Sequence, residues 1–207
     1  GEVTTYGAGM VAAMAVMLLA VASGTVTRLQ GVLMALAYLA FVAARYGYTD
    51  HDGVGSRLSE SEALDRPLLW AVVGIALVIG GGHLLVTGAR GVAAAVGIPT
   101  YLLGLLTGLG TTTPEIAVAA LAVRRDRGGI AVGTLFGSNI TDPLFSLGVG
   151  AAVAPLSVAN LDATLLSVGY MLAVSTAVTL VFYRRDEVGR RTGIGCLLLY
   201  VPALFLG

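Results

Sequence analysis

Long apolar runs and short polar segments alternate along the whole chain. Uncharged runs cover 3–27, 67–89 and 163–183, and each is longer than the roughly 18 residues that indicate a membrane-spanning helix. Taking every apolar run between charges and helix breakers predicts seven helices, at about 6–24, 29–46, 67–88, 99–123, 130–155, 163–183 and 193–207. The pattern therefore predicts an all-α polytopic membrane protein with about seven transmembrane helices.

Composition supports this class and excludes others. Charged residues make up 12% of the 207 residues, against about 25% in soluble proteins. The net charge is +0, so the chain has no basic surface of the kind that binds nucleic acid, and we expect no nucleic-acid partner. Cys196 is the single cysteine, which excludes a disulfide or a cysteine metal site within one chain. We expect no resident cofactor.

Arginine placement predicts the orientation in the membrane. With seven alternating spans, ten of the 12 basic residues fall on one side, and only Arg28 and Arg90 fall on the other. By the positive-inside rule the loops at 49–66, 124–129 and 184–192 are then cytoplasmic and the C-terminus is extracellular. The chain opens on Gly-Glu-Val without a signal peptide, and we expect it to be part of a longer polypeptide.

Two acidic residues lie well inside predicted spans, Glu115 and Asp142. A carboxylate at the bilayer centre costs roughly 2.5–3.5 kcal/mol on insertion scales, so an intramembrane acid indicates function by default. The alternative is a structural ion pair with a buried cation. Arg90 is the nearest candidate, but it flanks a helix end, where arginine extends to the interface.

The first acid lies in the segment Gly-Thr-Thr-Thr-Pro-Glu, at 110–115. Thr111 and Thr112 precede Glu115 by four and three residues, so a helix places all three on one face. Pro114 has no N–H, which frees a backbone carbonyl and predicts a break or kink. One helix turn would thus offer a carboxylate, two hydroxyls and a carbonyl.

The second acid repeats this arrangement in Gly-Ser-Asn-Ile-Thr-Asp-Pro, at 137–143. Ser138 and Asn139 precede Asp142 by four and three residues, and Pro143 removes the hydrogen bond to the Asn139 carbonyl. Oxygen ligands of this kind suit hard cations such as Ca²⁺ and Na⁺. Broken helices carrying such groups at mid-membrane indicate a transporter site.

Several parts have simpler explanations when taken singly. Membrane threonines often bond back to a carbonyl of their own helix. Gly133 and Gly137 form a small-xxx-small pattern that permits close helix packing. His83 is expected to be a packed or interface histidine, and Asp162 complements the dipole at the start of a helix. The combination of both acidic segments is what favours an ion site.

Together, T-T-T-P-E and the later G-x-x-x-G-S-N-x-x-D resemble the α-repeat of the cation/Ca²⁺ exchanger superfamily, in its prokaryotic sodium/calcium antiporter branch. The resemblance implies a ten-helix antiporter built from two inverted five-helix repeats. Residues 1–48 would be the last two helices of the first repeat, 49–66 a cytoplasmic loop, and 67–207 the second repeat. The first α-motif is absent from this sequence, so the chain would hold half of the ion site.

The resemblance also implies roles for individual residues. Glu115 would bind Ca²⁺ and share Na⁺ sites, and Asp142 would complete the second-repeat half. The other ligands it implies supply hydroxyl, carbonyl or amide oxygens: Thr111, Thr112, Ser138, Asn139 and Gly108. Thr112 and Thr134 depart from the usual serine and asparagine. The implied partners are Ca²⁺, Na⁺, the lipid bilayer and the upstream first-repeat half, whether in the same polypeptide or in a second chain.

These observations predict a Na⁺/Ca²⁺ antiporter of the cell membrane that works by alternating access at a midplane site. The alternatives are exchange of Ca²⁺ for H⁺ or another cation, a cation channel, and a purely structural subunit. An intramembrane enzyme is disfavoured because the sequence has no G-x-S-x-G or H-E-x-x-H motif.

Overall fold

The computed structural model describes residues 2–48, 67–97, 100–185 and 189–205, and almost all of them are helical. The α-helices are α1 (Glu2–Val21), α2 (Arg28–Tyr48), α3 (Pro67–Val96), α4 (Thr100–Arg124), α5 (Gly128–Thr141), α6 (Leu147–Val153), α7 (Leu161–Arg184) and α8 (Arg190–Leu198). A π-helical turn, Asp142–Ser146, joins α5 to α6, and a 3₁₀ turn covers Pro202–Phe205. The prediction of an all-α protein is confirmed.

The predicted spans correspond closely to these helices. The apolar run at 130–155 becomes α5, the π turn and α6 in succession. Helix α3 continues past Arg90 to Val96, because the segment there contains no proline and runs into the apolar residues 92–96. The last predicted span is divided, with α8 ending at Leu198 before the 3₁₀ turn.

Three of the described helices are each long and apolar enough to cross a membrane, over Thr4–Val21, Arg28–Arg45 and Leu161–Arg184. Their apolar side chains are largely exposed, for example Leu19 at 75% and Leu29 at 68%. A surface of this kind is stable in lipid, where exposed leucine has no hydrophobic penalty. The chain is therefore a membrane protein that crosses the bilayer several times.

Side chains cap two helices at the same end of the fold. Ahead of α2, Thr27 and Gln30 bind each other's backbone: the Thr27 N–H donates to Gln30 Oε1 at 2.8 Å, and the Gln30 N–H donates to Thr27 Oγ1 at 3.3 Å. This reciprocal pair is a capping box. Ahead of α7, Asn160 Oδ1 accepts from the Ala163 N–H at 3.2 Å. Both caps satisfy N–H groups that a helix start leaves unpaired.

The chain forms two compact units, Gly1–Ala44 with Pro114–Gly207, and Arg45–Thr113. In the first unit α1 packs against α5 and α7. Their apolar core includes Met10, Phe136, Ile140 and Val168. A two-stranded antiparallel ribbon pairs β1 (Thr25–Val26) with β2 (Leu156–Ser157), with Thr25 opposite Ser157. The ribbon ties the α1–α2 connection to the α6–α7 connection.

Helices α2 and α6 approach closely within the first unit. A Cβ added at Gly31 would lie 2.5 Å from the Gly148 carbonyl oxygen and 2.5 Å from the Ala152 nitrogen. A Cβ added at Gly148 would lie 2.9 Å from the Ala35 nitrogen. Glycine at both positions therefore lets the two backbones touch, as small residues do at helix crossings in membranes.

The second unit contains α3 and the first part of α4. Helix α3 ends at Val96 and is followed by Gly97, whose φ of +73° is a left-handed conformation that glycine adopts without strain. The predicted loop at 49–66 lies outside the described residues. The predicted assignment of 1–48 and 67–207 to two repeats stays a prediction.

Candidate ion site

Glu115 lies on α4, and its side chain is half-buried. Its Oε2 atom is buried and has no hydrogen-bond partner among the residues that the structure describes. Burying a charged oxygen without a donor is costly, by about 1–3 kcal/mol or more. Such an atom is accordingly a candidate ligand for a cation.

Pro114 precedes this glutamate inside α4, and the helix is continuous from Thr100 to Arg124. The sequence predicted that the span would break or kink at this proline. A break is wrong, because the helix is continuous, and a kink stays a prediction. A proline removes one N–H from the ladder, and membrane helices tolerate that loss. A change of helix type occurs in only one of the two acidic segments.

That change is at Asp142, the first residue of the π turn. The Asp142 N–H still donates to the Ser138 carbonyl in the α-helical pattern, whereas the Leu147 N–H donates to the Asp142 carbonyl, five residues back. Pro143 follows the aspartate and donates no hydrogen bond. The α pattern therefore changes to the π pattern at the predicted acidic ligand, and π turns of this kind are frequent at functional sites.

Ser138 and Asn139 both bind the carbonyl of Leu135, one turn earlier. Ser138 Oγ donates at 3.1 Å and Asn139 Nδ2 donates at 2.8 Å. Ser138 is half-buried and Asn139 is exposed. Since the amide nitrogen makes this bond, the Asn139 Oδ1 atom is not used in it, and the Ser138 oxygen keeps its lone pairs.

Thr111 makes the same kind of bond in α4, where its Oγ1 donates to the Gly108 carbonyl at 3.0 Å. This confirms that a membrane threonine here bonds back to its own helix, although the oxygen can still accept or bind a cation. Thr111 and Thr112 are exposed. These residues and Gly108 belong to the Arg45–Thr113 unit, whereas Glu115 belongs to the other.

The two acidic residues interact within the first unit. The Asp142 carboxylate is repelled electrostatically by Glu115, and the Ser146 hydroxyl lies close enough to Asp142 to favour its ionised form. No cluster of three or more His, Cys, Asp or Glu side chains is found among the described residues. The arrangement is thus a pair of like charges, with Ser138 and Asn139 four and three residues before Asp142 along the chain, and a small hard cation could bridge the two carboxylates.

The structure supports some of the simpler explanations for single residues and not others. A Cβ added at Gly133 or Gly137 would meet no described atom within 4 Å, so these glycines make no close helix contact there, and Gly31 and Gly148 fill that role. His83 is exposed on α3. Asp162 lies exposed in the first turn of α7, as its predicted interaction with the helix dipole requires.

The sequence is matched by the profile of a known family, described as sodium/calcium exchanger protein, over residues 66–206. This range is more than half of the chain and contains both acidic segments. The chain belongs to the sodium/calcium exchanger family. The predicted resemblance to the cation/Ca²⁺ exchanger superfamily is confirmed.

Individual relatives agree with this assignment. Sodium/calcium exchanger MaX1 of Methanosarcina acetivorans is 31% identical over 140 residues, which are 67% of this chain and 40% of that protein. Inner membrane protein YrbG of Escherichia coli is 34% identical over 136 residues, 65% of this chain and 41% of that protein. Sodium/potassium/calcium exchanger 3 of Homo sapiens is 32% identical over 114 residues, 51% of this chain and 18% of that protein.

The matched part of this family member is therefore less than half the length of these relatives. No solved structure matches the chain.

Two residues near the site were not found from sequence. Ser146 follows Asp142 by four residues, so its spacing could have indicated contact on a helix. Tyr38 contacts the residue before Asp142, with its hydroxyl 3.2 Å from Thr141 Oγ1. This contact joins residues about one hundred positions apart, and no local pattern signals it.

Proposed function

We propose that this exchanger-family chain supplies half of a site at which Ca²⁺ is exchanged for Na⁺ across the cell membrane. The observation that carries the proposal is the buried Glu115 oxygen, which has no hydrogen-bond partner in the part of the chain that the structure describes, on a side chain that also repels Asp142. A bound cation would satisfy that oxygen and neutralise the repulsion at once. Both acids are therefore proposed as cation ligands.

Neutral oxygen atoms complete the proposed ligand set. Ser138 and Asn139 use their hydrogens on the Leu135 carbonyl, so their oxygens are available to a cation. On the strength of the family motif, Thr111, Thr112 and Gly108 are proposed as further oxygen ligands. Such all-oxygen sets bind Ca²⁺, and Na⁺ shares that preference, whereas softer metals favour nitrogen or sulfur.

The exchange step follows from competition between Ca²⁺ and Na⁺ for the same ligand oxygens. Two carboxylates held near each other in a membrane protein are unfavourable when both are ionised and empty, because little water is present to screen them. One divalent ion or several Na⁺ ions would relieve this repulsion, but both cannot occupy the same oxygens. Loaded forms would then be the ones that alternate between the two sides, which makes the transport an obligate exchange.

The other half of the site is proposed to come from a first repeat, in the same polypeptide or in a second chain. The greater length of the relatives is consistent with this. The excess of arginine in the loops at 49–66, 124–129 and 184–192 supports a cytoplasmic position for them. The end at 207 would then be extracellular.

The direct test is uptake of radiolabelled Ca²⁺ into Na⁺-loaded proteoliposomes that contain the intact reading frame to which this sequence belongs. The wild-type protein should take up Ca²⁺ only when Na⁺ can leave, and Glu115→Gln should abolish uptake because the amide removes the charge while keeping the shape. Asp162→Asn is the matched control, since it removes an exposed acid in the first turn of α7, and it should retain uptake.

Three outcomes would contradict the proposal. Wild-type flux in Glu115→Gln would exclude this residue as a ligand. Uptake driven by a proton gradient and indifferent to Na⁺ would replace Na⁺/Ca²⁺ exchange with H⁺/Ca²⁺ exchange. Conduction of current without any counter-ion gradient would indicate a channel.

A further inference from the structure

We infer that Tyr38, on α2, is a positioning residue that holds the π turn carrying Asp142 in its ion-binding orientation. The inference rests on the proposed function, because it assigns Tyr38 a role at that site. Tyr38 contacts Thr141, directly before the aspartate, and Phe145, three residues after it.

The first contact is a chain of two hydrogen bonds. Thr141 Oγ1 lies 2.9 Å from the Gly137 carbonyl and 3.2 Å from the Tyr38 hydroxyl. The carbonyl can only accept, so the single hydrogen of Thr141 is used there. The two contacts are then satisfied together when Tyr38 donates its hydrogen to Thr141.

The second contact is between aromatic rings. The ring centroids of Tyr38 and Phe145 are 5.1 Å apart, with the ring planes tilted by 40°. Phe145 lies inside the π turn, and Thr141 is the last residue before it. One tyrosine therefore holds both ends of the backbone segment from which the Asp142 side chain projects.

Helix α2 provides a rigid base for this tyrosine. Gly31 lies two helical turns before Tyr38, on the same face, and it touches the backbone of α6 at Gly148. Gly148 in turn lies seven residues beyond Thr141. The two helices thus run antiparallel in fixed register along the π turn and α6, with glycine contact at one end and Tyr38 at the other.

A holding element is needed because the π turn is locally irregular. Pro143 donates no backbone hydrogen bond, and the spacing between donor and acceptor residues in the helix changes from four to five. The helix alone therefore restrains Asp142 less than a regular α-helix would. If the turn samples other orientations, the apparent dissociation constant rises in inverse proportion to the competent fraction. Loss of the Tyr38 hydroxyl should therefore weaken cation binding rather than slow the transport of bound ions.

The experiment measures Na⁺-driven Ca²⁺ uptake by the intact exchanger over a range of Ca²⁺ concentrations. Tyr38→Phe should raise the half-saturating Ca²⁺ concentration by about fivefold, as expected for one neutral hydrogen bond, with little change in maximal rate. Tyr170→Phe is the matched control, because it also removes a tyrosine hydroxyl bond, to the Leu199 carbonyl at 2.6 Å. Among the described residues Tyr170 makes no hydrogen bond or ring contact with the π turn. This variant should leave the half-saturating concentration unchanged.

Thr141→Val provides a second route to the same answer. If Tyr38 acts through Thr141, the single variants and the double variant should share one half-saturating concentration. Equal half-saturating concentrations in Tyr38→Phe, Thr141→Val and wild type would overturn the inference. So would a loss of maximal rate and thermal stability without any change in that concentration, which a purely structural role would give.

The same experiment distinguishes a failure of the proposed function from a failure of the inference about Tyr38. In that case the wild type and Tyr170→Phe would show no Na⁺-driven uptake either.

Discussion

The contact between α2 and α6 is sensitive to a single methyl group. In Gly31→Ala the new Cβ would lie 2.5 Å from two backbone atoms of the facing segment, the Gly148 oxygen and the Ala152 nitrogen. Backbone atoms cannot rotate away as a side chain can. The helices must therefore separate by about 0.9 Å to restore an ordinary contact of 3.4 Å.

Overpacking of this kind costs typically 1–3 kcal/mol. For a domain of 150–250 residues, each kcal/mol lowers the melting temperature by about 2–4 °C. We therefore expect Gly31→Ala to melt roughly 2–12 °C below wild type. The assay is thermal unfolding of the purified protein in detergent, followed by the loss of the monodisperse peak in size-exclusion chromatography.

Gly169→Ala is the control, because Gly169 lies in α7 and an added Cβ there would meet nothing described within 4 Å. Its melting temperature should equal or exceed that of wild type, since alanine is the better helix former by about 1 kcal/mol. If Gly31→Ala melts at or above the wild-type temperature, the α2–α6 contact is looser than described, and the restraint on the π turn loses its base.

Two further predictions concern single hydrogen bonds. Ser146→Ala removes the hydroxyl that favours the ionised form of Asp142, so the half-saturating Ca²⁺ concentration should rise by about two- to fivefold; an unchanged value in uptake assays would argue against a role for this hydroxyl. Asn160→Ala removes the N-cap of α7 and should lower stability by about 0.5–2 kcal/mol, measured as a lower melting temperature, while Asn160→Asp, which keeps a capping oxygen, should stay close to wild type.

The helices were predictable because membrane spans follow from local composition. The boundaries of α2 and α7 lie within about two residues of prediction, since charges or caps stand at both ends. The division of the last predicted span into α8 and a 3₁₀ turn was not predictable in the same way. Pro202 begins that turn, but a proline in an apolar run can equally lie inside a helix, as Pro114 does.

The candidate site was predictable to the extent that its chemistry is local. The carboxylates, the hydroxyls and the asparagine were identified from spacing, and Ser138 and Thr111 do bond along their own helices. Contacts between residues that are far apart in the sequence were not identified. Tyr38, Gly31 and Gly148 gain their importance from one helix crossing, and the sequence around them resembles any apolar span with small residues.

The two acidic segments share a sequence pattern but differ in backbone, and this difference bears on how the site could work. Pro114 precedes Glu115, and α4 is continuous through it. Pro143 follows Asp142, so the missing N–H falls beyond the acid, and there the backbone changes to a π turn. A glutamate on a regular helix is held in place by the uninterrupted backbone hydrogen bonds of that helix. An aspartate at the start of an irregular turn depends on neighbouring helices for its orientation. If one proposed ligand moves as ions are exchanged, it is therefore Asp142, and α2 is the element placed to limit that movement.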